Sequence, residues 1–439
     1  MEGIKLKEIE ESIKPKDRNN IKNELFKSVK INSKEIEKGD IFVALVGKNH
    51  DAHAFIPEAI QNGAYLSIVE KPVEYPYLLV DNTYDALKKL AKLVYEKSQA
   101  KSIAVLGSSG KTTTKELICS ILSQKERCCK TKSNENNFIG VSKTLLSIKD
   151  EKVCVVEVGT NHQGEISDIK TFFEPDIAVF TNIGKSHIGN FDSMDAILSE
   201  KTSIVSFDTL VIYNYDDLWL RKAFNKRNAV KCSAINPLAD VYVNKVTDNG
   251  VELSVFGKII KLNLNNDKIN IYNILISIAA SITYNDKITQ DDINRAMLEF
   301  EQPKFRMQTE IVDNTEFILD CYNANPDSVK YALNILKNKK GRALAVLGDM
   351  LELGEFSSSL HREIGDFIKE LGVDLIAYGN DAYYIYESAK SNVKAYFFRD
   401  KQDIANTLKS IYKDYDTILI KGSRGMKMEE IFFLLKGEV

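Results

Sequence analysis

The segment that most constrains the fold of this chain is a glycine-rich loop, GSSGKT, at residues 107–112. It follows a short apolar run at residues 102–106 (SIAVL), which has the pattern of a buried strand, and it precedes a helix-compatible run at residues 113–123. A strand, a glycine-rich turn and a helix in this order are typical of a phosphate-binding loop. The loop therefore predicts a parallel-sheet domain that binds the phosphates of a nucleotide.

The residue types in this loop suit a nucleoside triphosphate bound with magnesium. Gly107 and Gly110 let backbone N–H groups face phosphate oxygens, and Lys111 can neutralise the β and γ phosphates. The Thr112 hydroxyl can ligate magnesium, and Val105 in place of the first Walker glycine makes the loop a shortened GxxGKT variant. A glycine-rich turn capped by Ser and Thr is the structural alternative. The residues expected to hold ATP here are Gly107, Ser108, Ser109, Gly110, Lys111, Thr112 and Thr113.

Two later strands place further polar groups at the same edge of the predicted sheet. Glu157 ends the apolar run at residues 153–157, and ligand sites of α/β folds form at the carboxyl ends of parallel strands. A carboxylate there can bind magnesium, although a solvated Glu at a strand end fits the position equally well. His187 follows the next strand and is expected beside Glu157 as a neutral metal ligand, whereas a lone loop histidine more often faces solvent.

The sequence before the next helical run is rich in asparagine. Residues 131–140 (TKSNENNFIG) contain Asn134, Asn136 and Asn137. Asparagine favours turns and helix caps through bonds to its own backbone, so a structural role competes with a role in binding. Lys201 begins an amphipathic run and carries no functional signal by itself.

The pattern of apolar runs divides the 439 residues into three α/β units. Residues 1–85 read as a small N-terminal domain, residues 86–302 as a central domain and residues 303–439 as a Rossmann-like domain. The central domain is predicted to be a P-loop parallel-sheet ATPase domain, to which the alternating residues 240–264 add a small antiparallel extension with turns at 248–250 and 256–258. Outside the runs named above, strands are predicted at residues 40–46, 65–69, 177–181, 210–213, 343–347, 375–378 and 417–420.

Composition excludes several classes of function. Lys and Arg total 59 against 62 Asp and Glu, a net charge of -3 without a basic block, so no nucleic-acid partner is expected. The charged N-terminus and the absence of a long apolar stretch predict a cytoplasmic protein without a membrane partner. No CxxC pair is present, which favours free packing thiols in a reducing compartment at Cys119, Cys128, Cys129, Cys154, Cys232 and Cys321.

The order of these motifs resembles the Mur ligase family over nearly the whole chain. The matching stretches of the central domain lie at residues 106–116, 134–146, 157–166 and 181–201. Three further stretches are similar to the branch of the family that adds D-alanyl-D-alanine: residues 320–328 (DCYNANPDS), 346–354 (VLGDMLELG) with His361, and 420–431 (IKGSRGMKMEEI).

The resemblance implies an ATP-dependent ligase of cell-wall precursor synthesis. In that family the γ-phosphoryl group of ATP moves to a substrate carboxylate, and an amine attacks the acyl phosphate to give an amide, ADP and phosphate. The implied small-molecule substrates are ATP, UDP-N-acetylmuramoyl-tripeptide and D-alanyl-D-alanine, and a monomer is expected. By resemblance Thr112 and Glu157 hold one of two magnesium ions and His187 helps to hold the second. Lys201 matches a lysine that is carbamylated in related ligases, so the implied catalytic residues are Lys111, Glu157, His187 and Lys201.

The resemblance also assigns residues outside the phosphate loop. Asn273 matches a residue near the adenine, Arg306 matches an arginine that reaches the γ-phosphate, and Asp320 matches an acidic residue near the ribose. Closure of the third domain over ATP is therefore expected. The implied substrate-binding residues are Ser33, Asn136, Asn137, Asn323 and Asn325; for the last of these, a helix N-cap before Pro326 is an equally complete explanation.

The chain departs from the family pattern at three positions that the family uses for ligands. Ile269 stands where a histidine usually precedes the adenine site, Lys34 replaces an arginine of the uridine site, and Ala52 replaces a nearby glycine. Lysine cannot reproduce a bidentate arginine fork, so uridine diphosphate binding is expected to be weaker or rearranged. The rival interpretations are another Mur-type ligase, either the one that adds the third residue or a folylpolyglutamate-like enzyme, and a P-loop NTPase that couples hydrolysis to binding.

Overall fold

The computed structural model of the chain describes residues 3–247, 250–263 and 269–438. Sheets flanked by helices occupy its N-terminal, central and C-terminal parts, which confirms the predicted α/β class. The helix Thr83–Ser98 connects the first part to the second, and the predicted boundary between residues 85 and 86 falls inside it. Asn82 caps this helix by accepting a hydrogen bond from the Asp85 N–H.

The N-terminal part contains a small sheet whose strands pair in parallel except at one edge. Its strands, in spatial order, are Asp17–Asn19, Tyr77–Leu79, Leu66–Val69, Ile41–Val43 and Val29–Lys30, of which the first is antiparallel to its neighbour. Two short antiparallel pairs accompany it, Ile4–Lys5 with Leu25–Phe26 and Val46–Gly47 with His50–Asp51. The helical segments are Leu6–Ile13, Ser33–Glu35, Ala52–Phe55 and Ile56–Gln61.

The central part is a longer sheet in which the phosphate loop leaves an interior strand. Its parallel strands, in spatial order, are Cys128–Lys130, Val153–Glu157, Lys101–Leu106, Ile177–Phe180, Leu210–Asn214 and Ala229–Ser233. The strand Val241–Thr247 continues this sheet and pairs antiparallel with Gly250–Val255, which pairs with Lys258–Asn263, as the predicted extension requires. Its helical segments are Lys111–Leu122, Phe138–Leu146, Glu165–Lys170, Ile188–Asn190, Met194–Thr202, Leu218–Phe224, Ile271–Tyr284 and Gln290–Leu298.

Turn chemistry accounts for the second hairpin of the extension. Phe256 has φ +48° and Gly257 has φ +80°, as a tight hairpin turn requires at both central positions. The turn predicted at residues 248–250 depends on residues 248 and 249, which lie outside the described residues.

The C-terminal part is a sheet that begins with a hairpin. Its strands, in spatial order, are Gln308–Val312, Thr315–Asp320, Thr417–Lys421, Ala343–Gly348, Asp374–Tyr378 and Ala395–Phe398, and only the first pair is antiparallel. The opening hairpin was not predicted, because its strand Gln308–Val312 is half exposed and lacks an apolar run. The helical segments are Pro326–Asn338, Gly354–Phe356, Ser357–Leu371, Ala382–Ala389, Lys401–Ile411, Tyr412–Asp414, Arg424–Met426 and Glu429–Lys436.

The central sheet is buried on both faces, which explains the continuous apolar runs in its strands. On one face Ile103 and Val105 pack with the helix Ile271–Tyr284, while Ala104 and Leu106 belong to the core on the opposite face. The six cysteines carry free thiols, and all of them except the half-buried Cys128 are buried. Among the described residues no helix is both long enough and apolar enough to cross a membrane.

We expect the helix Ile271–Tyr284 to anchor the core beneath the phosphate loop. Replacing Ile278, which is fully buried, with Ala removes packed methyl groups and should lower the free energy of unfolding by about 2–5 kcal/mol. The same change at Ile311, which is 75% exposed, is the matched control and should alter it by less than about 0.5 kcal/mol. Urea denaturation followed by circular dichroism measures both, and equal losses would contradict this assignment of the core.

Candidate active site

The phosphate loop is a tight turn that only glycine fits at two positions. Gly107 has φ +142°, and a Cβ atom there would lie 1.9 Å from Oγ1 of Thr181. Gly110 has φ +82°, and a Cβ atom there would lie 2.6 Å from Oδ1 of Asn273. The loop is therefore packed directly against the end of the neighbouring strand and against the helix that carries Asn273.

Hydrogen bonds from the strand end fix the same loop. The Ser109 N–H donates to Oδ1 of Asn182 at 3.0 Å, and Oγ1 of Thr181 donates to the Ser109 carbonyl at 2.6 Å. Ser108 accepts from the Gly184 N–H at 2.8 Å. These bonds fix the shape of the loop through protein contacts alone, which is the preorganisation that phosphate binding needs.

Lys111 and Thr112 begin the helix that follows the loop, where backbone N–H groups and the helix dipole favour an anion. The Lys111 ammonium donates to the Gly107 carbonyl at 2.9 Å. Burial lowers the pKa of Lys111, an effect that the carboxylate of Glu157 opposes and the charge of Arg306 reinforces. The Thr112 hydroxyl accepts a hydrogen bond of 2.9 Å from Nη2 of Arg306, which comes from the C-terminal part of the chain.

Glu157 ends its strand as a buried carboxylate with one oxygen unused. Its Oε1 accepts from Nδ2 of Asn136 at 2.8 Å, and its N–H donates to Oγ1 of Thr131 at 2.9 Å. Its Oε2 is buried and has no hydrogen-bond partner. A buried carboxylate oxygen without a donor is costly unless a cation satisfies it.

His187 lies in the loop after the strand Ile177–Phe180, and Lys201 lies in the helix Met194–Thr202. Burial and the ammonium groups of Lys111 and Lys201 lower the pKa of His187 to about 4, so its imidazole is neutral near pH 7. Its Nδ1 lies 2.5 Å from Oε2 of Glu352, although the two groups are not aligned as a hydrogen bond. Lys201 is buried with its Nζ 3.4 Å from the Gly107 carbonyl, and burial together with Lys111 lowers its pKa to about 7.

The C-terminal part supplies the other wall of the site. Asn325 caps the helix Pro326–Asn338 as expected, and its Nδ2 also donates to the Ser109 hydroxyl at 3.1 Å. The buried Lys421 ammonium donates to Oδ2 of Asp320 at 2.6 Å and to the Asn323 carbonyl at 2.9 Å. The guanidinium of Arg306 stacks on the ring of Tyr322, 3.9 Å from its centre. A planar cation held in this way is preorganised for a phosphate.

These groups line one cleft of about 620 Å³ between the central and C-terminal parts. Most of the predicted site residues lie on its wall: Ser108, Ser109, Gly110, Lys111, Thr112, Thr113, Asn136, Glu157, His187, Asn273, Arg306, Asp320, Asn323 and Asn325. The wall also contains residues that sequence reasoning did not single out, notably Asn182, Tyr322, Asp327 and Lys421. All four lie in stretches that carry the family resemblance (Asn182 in 181–201, Tyr322 and Asp327 in 320–328, and Lys421 in 420–431), and those stretches were the available signal.

Four predicted residues are not on the wall of the cleft. Gly107 begins the phosphate loop, and its carbonyl accepts a hydrogen bond of 3.4 Å from the buried ammonium of Lys201. The Asn137 side chain caps the helix Phe138–Leu146, which is the structural alternative already stated. Ser33 belongs to the N-terminal part, where its hydroxyl donates to Oε2 of Glu58 at 2.5 Å.

Comparison with known proteins identifies the family. Residues 105–281 match the family model described as the Mur ligase middle domain, and residues 305–424 match that of the Mur ligase, glutamate ligase domain. The UDP-N-acetylmuramoyl-tripeptide--D-alanyl-D-alanine ligase of Rickettsia prowazekii (strain Madrid E) is 32% identical over 426 residues, which cover 92% of this chain and 94% of that protein. The chain belongs to the Mur ligase family.

Solved Mur ligase structures share the fold over the full length. A crystal structure of MurF from Acinetobacter baumannii has a TM-score of 0.88 and 29% identity, covering 100% of this chain and 99% of that one. The MurF ligase of Thermotoga maritima, solved in complex with ADP, has a TM-score of 0.82 and 28% identity, covering 94% of this chain and 97% of that one. The predicted three-part α/β architecture is thus that of known Mur ligases.

The donor set fits a magnesium ion that arrives with ATP in a Mur ligase. Among the described residues no group of three or more His, Cys, Asp and Glu side chains could hold a metal ion. The free Oε2 of Glu157, the Thr112 hydroxyl and the neutral His187 are nevertheless hard or borderline ligands at the phosphate loop. Magnesium keeps waters and takes phosphate oxygens alongside one or two carboxylates, so few protein ligands are required.

The departures from the Mur ligase pattern have local structural reasons. Ile269 is buried in the core beside the helix Ile271–Tyr284, whereas Asn270 lines the cleft. Residues 267 and 268 of the same stretch lie outside the described residues. Ala52 is buried, and the neighbouring His53 ring contacts Oδ1 of Asp51 at 2.6 Å and accepts from the Glu70 N–H at 3.0 Å. The Lys34 side chain is exposed, and its ammonium forms no hydrogen bond or ion pair within the described residues.

We expect Gly107→Ala to weaken nucleotide binding. The added Cβ would collide with Thr181 and strain the backbone, and strain of about 1–3 kcal/mol corresponds to roughly a 5- to 150-fold loss in affinity. Gly257→Ala is the matched control, because Gly257 also has positive φ but nothing lies within 4 Å of its Cβ position. Isothermal titration with ADP measures both variants, and equal affinities would contradict the assigned role of Gly107.

Proposed function

We propose that this chain is an ATP-dependent ligase that joins D-alanyl-D-alanine to UDP-N-acetylmuramoyl-tripeptide and releases ADP and phosphate. The observation that carries the proposal is the cleft in which Arg306 and Asn325 of the C-terminal part contact Thr112 and Ser109 of the phosphate loop. A ligase of this kind must bring a nucleotide and an incoming amine together. The similarity to relatives named for this reaction extends over 92% of the chain.

In this proposal the three parts of the chain have different ligands. Residues 1–85 bind the UDP-muramoyl substrate, residues 86–302 bind ATP, and residues 303–439 bind the dipeptide and close over ATP. A monomer is part of the same proposal. A cytoplasmic location follows from the use of ATP and a UDP-linked precursor.

The chemistry has two steps that share one phosphoryl group. A carboxylate oxygen of the tripeptide attacks the γ-phosphorus, the bond to the β-phosphate oxygen breaks, and ADP leaves. The dipeptide amine then attacks the acyl carbon, loses a proton and expels phosphate, so that an amide forms. Charge is spread over the phosphoryl oxygens in the first step, and positioned cations stabilise it.

The residues of the cleft suit these steps. Lys111 and the loop N–H groups bind the phosphates, and Arg306 reaches Thr112 from the opposite wall, where it can follow the transferred group. Magnesium ions, when bound with ATP, would neutralise phosphate charge; Thr112 and Glu157 would hold one of them, and His187 would help to hold the second. The neutral state of His187 matches that role, because a protonated imidazole cannot ligate a metal.

Two observations favour this function over its rivals. The candidate metal strand ends in Glu157 and not in the Asp typical of a Walker-B strand of a P-loop NTPase. Segments 320–328 and 346–354 resemble the D-alanyl-D-alanine-adding branch. The first lines the cleft, and Glu352 of the second lies beside His187. They favour this branch over the ligase that adds the third residue and over folylpolyglutamate-like enzymes.

A phosphate-release assay tests the proposed reaction. Turnover should require ATP, UDP-N-acetylmuramoyl-tripeptide and D-alanyl-D-alanine together, and omission of the dipeptide should reduce steady phosphate release to background. Tripeptides that end in diaminopimelate or in lysine should be compared side by side. Equal rates with and without the dipeptide would show an NTPase and reject the ligase.

We further propose that Lys201 is carbamylated and so becomes an anionic ligand near the metal. Its burial beside Gly107, together with its lowered pKa, supports this, because a neutral amine attacks carbon dioxide to give a carbamate and a proton. With a pKa of about 7, a large fraction of this amine is unprotonated at neutral pH, against roughly one in 2,500 for an ordinary lysine.

We expect the carbamate to be detectable directly. With ¹³C-labelled bicarbonate, a carbamate signal should rise with pH through about 7, as the amine loses its proton, and should be absent from Lys201→Ala. Lys201→Ala should lose most activity and recover part of it with added short carboxylic acids. Full activity of Lys201→Ala without such acids would count against the modification.

A further inference from the structure

Lys115 is a fully buried lysine that the mechanism above does not use. It lies one helical turn after Lys111 on the helix Lys111–Leu122, and none of its side chain is exposed. A buried ammonium is costly unless charge and hydrogen bonds compensate it. Retaining such a group next to the phosphate loop therefore calls for a physical reason.

The three N–H donors of Lys115 are all used, and two of them hold one loop. They reach the Thr131 carbonyl at 2.7 Å, the Ser133 carbonyl at 2.6 Å and Oε1 of Glu116 at 2.9 Å. Ser133 has φ +52°, a left-handed conformation that is unfavourable for a residue with a side chain. The bond from Lys115 helps to keep the loop in that conformation.

The loop held by Lys115, residues 131–136, leads to Glu157. The Thr131 hydroxyl accepts from the Glu157 N–H at 2.9 Å, and Asn136 donates from Nδ2 to Oε1 of Glu157 at 2.8 Å. The Asn136 carbonyl accepts from the Gly159 N–H at 2.8 Å, so the loop is also bonded to the residues that follow the strand Val153–Glu157. A displacement of the loop would therefore turn the Glu157 carboxylate.

The Lys115 ammonium also acts on the Glu157 carboxylate electrostatically, without a hydrogen bond to its free oxygen. Its Nζ lies 3.9 Å from Oε2 of Glu157, the oxygen that has no hydrogen-bond partner. At that distance the ammonium compensates the buried negative charge, yet it forms no direct bond that a metal would have to displace. If Lys115 formed a direct hydrogen bond with Oε2 of Glu157, that oxygen would be less available to a metal ion.

We propose that Lys115 is a positioning residue, which holds residues 131–136 and the Glu157 carboxylate in the orientation that receives a magnesium–nucleotide complex. This inference rests on the proposed ATP-dependent function. Groups that orient metal ligands typically change metal affinity or activity by about 10- to 100-fold when they are removed. Lys115 should therefore affect nucleotide binding only when the metal is present.

The test compares ADP binding with magnesium and with EDTA by isothermal titration. Lys115→Met keeps the length of the side chain but removes its charge and donors, and it should weaken ADP binding by about 10- to 100-fold with magnesium and by less than about threefold with EDTA. Lys130→Met is the matched control, because Lys130 is an exposed lysine that contacts the same Glu116 but not the loop. It should bind like the wild type in both conditions.

Each outcome has a separate meaning. Equal weakening of Lys115→Met with and without magnesium, or no weakening, overturns the positioning role. If Lys115→Met does not fold by circular dichroism, Lys115→Arg replaces it; this variant retains charge but cannot place three donors identically, so a smaller magnesium-specific loss is expected and unchanged binding overturns the proposal. A wild-type protein that binds Mg–ADP but shows no ligase turnover contradicts the proposed function and leaves the role of Lys115 intact.

Discussion

The site depends on the register of three neighbouring parallel strands. Val105 pairs with Glu157 on one side and with Val179 on the other, so the carboxyl ends of these strands stop at nearly the same level. The phosphate loop, the Glu157 carboxylate and the loop that carries His187 consequently emerge at one edge. A slip of the pairing by one residue would turn Glu157 to the opposite face of the sheet, because side chains alternate along a strand.

The concentration of lysines around this edge is the second constraint. Lys111, Lys115 and Lys201 are all held close to the loop or beneath it, and each has a different form of compensation. The Lys111 ammonium donates to the Gly107 carbonyl, whereas that of Lys115 contacts two carbonyls and Glu116. The pKa of Lys201 is lowered by burial and by Lys111. The charge of Arg306 opposes that of Lys111 at the loop, and an anionic nucleotide would relieve this repulsion.

Much of this arrangement could be predicted from the sequence, because its signals are local. The phosphate loop, the strand ending in Glu157 and the Asn325 cap each depend on a few consecutive residues and a known turn chemistry. Only the family resemblance placed Arg306 near the phosphates, and the contact of Lys421 with Asp320 was not predicted, since both contacts join residues far apart in the chain. Lys115 was missed for a different reason: a lysine on a helix is usually exposed, and only the folded loop above it makes it buried.

The single free oxygen of Glu157 has a consequence for how such an enzyme would respond to its surroundings. No group of three or more His, Cys, Asp and Glu side chains among the described residues could hold a metal ion, so a magnesium ion here would take most of its ligands from phosphate oxygens and water. The ion would then enter and depart with each turnover as part of its substrate, and chelation would deplete the substrate while leaving the fold intact. Uncomplexed ATP, which fills the same cradle without the ion, would act as a competitor, so the rate would follow the ratio of free magnesium to total ATP.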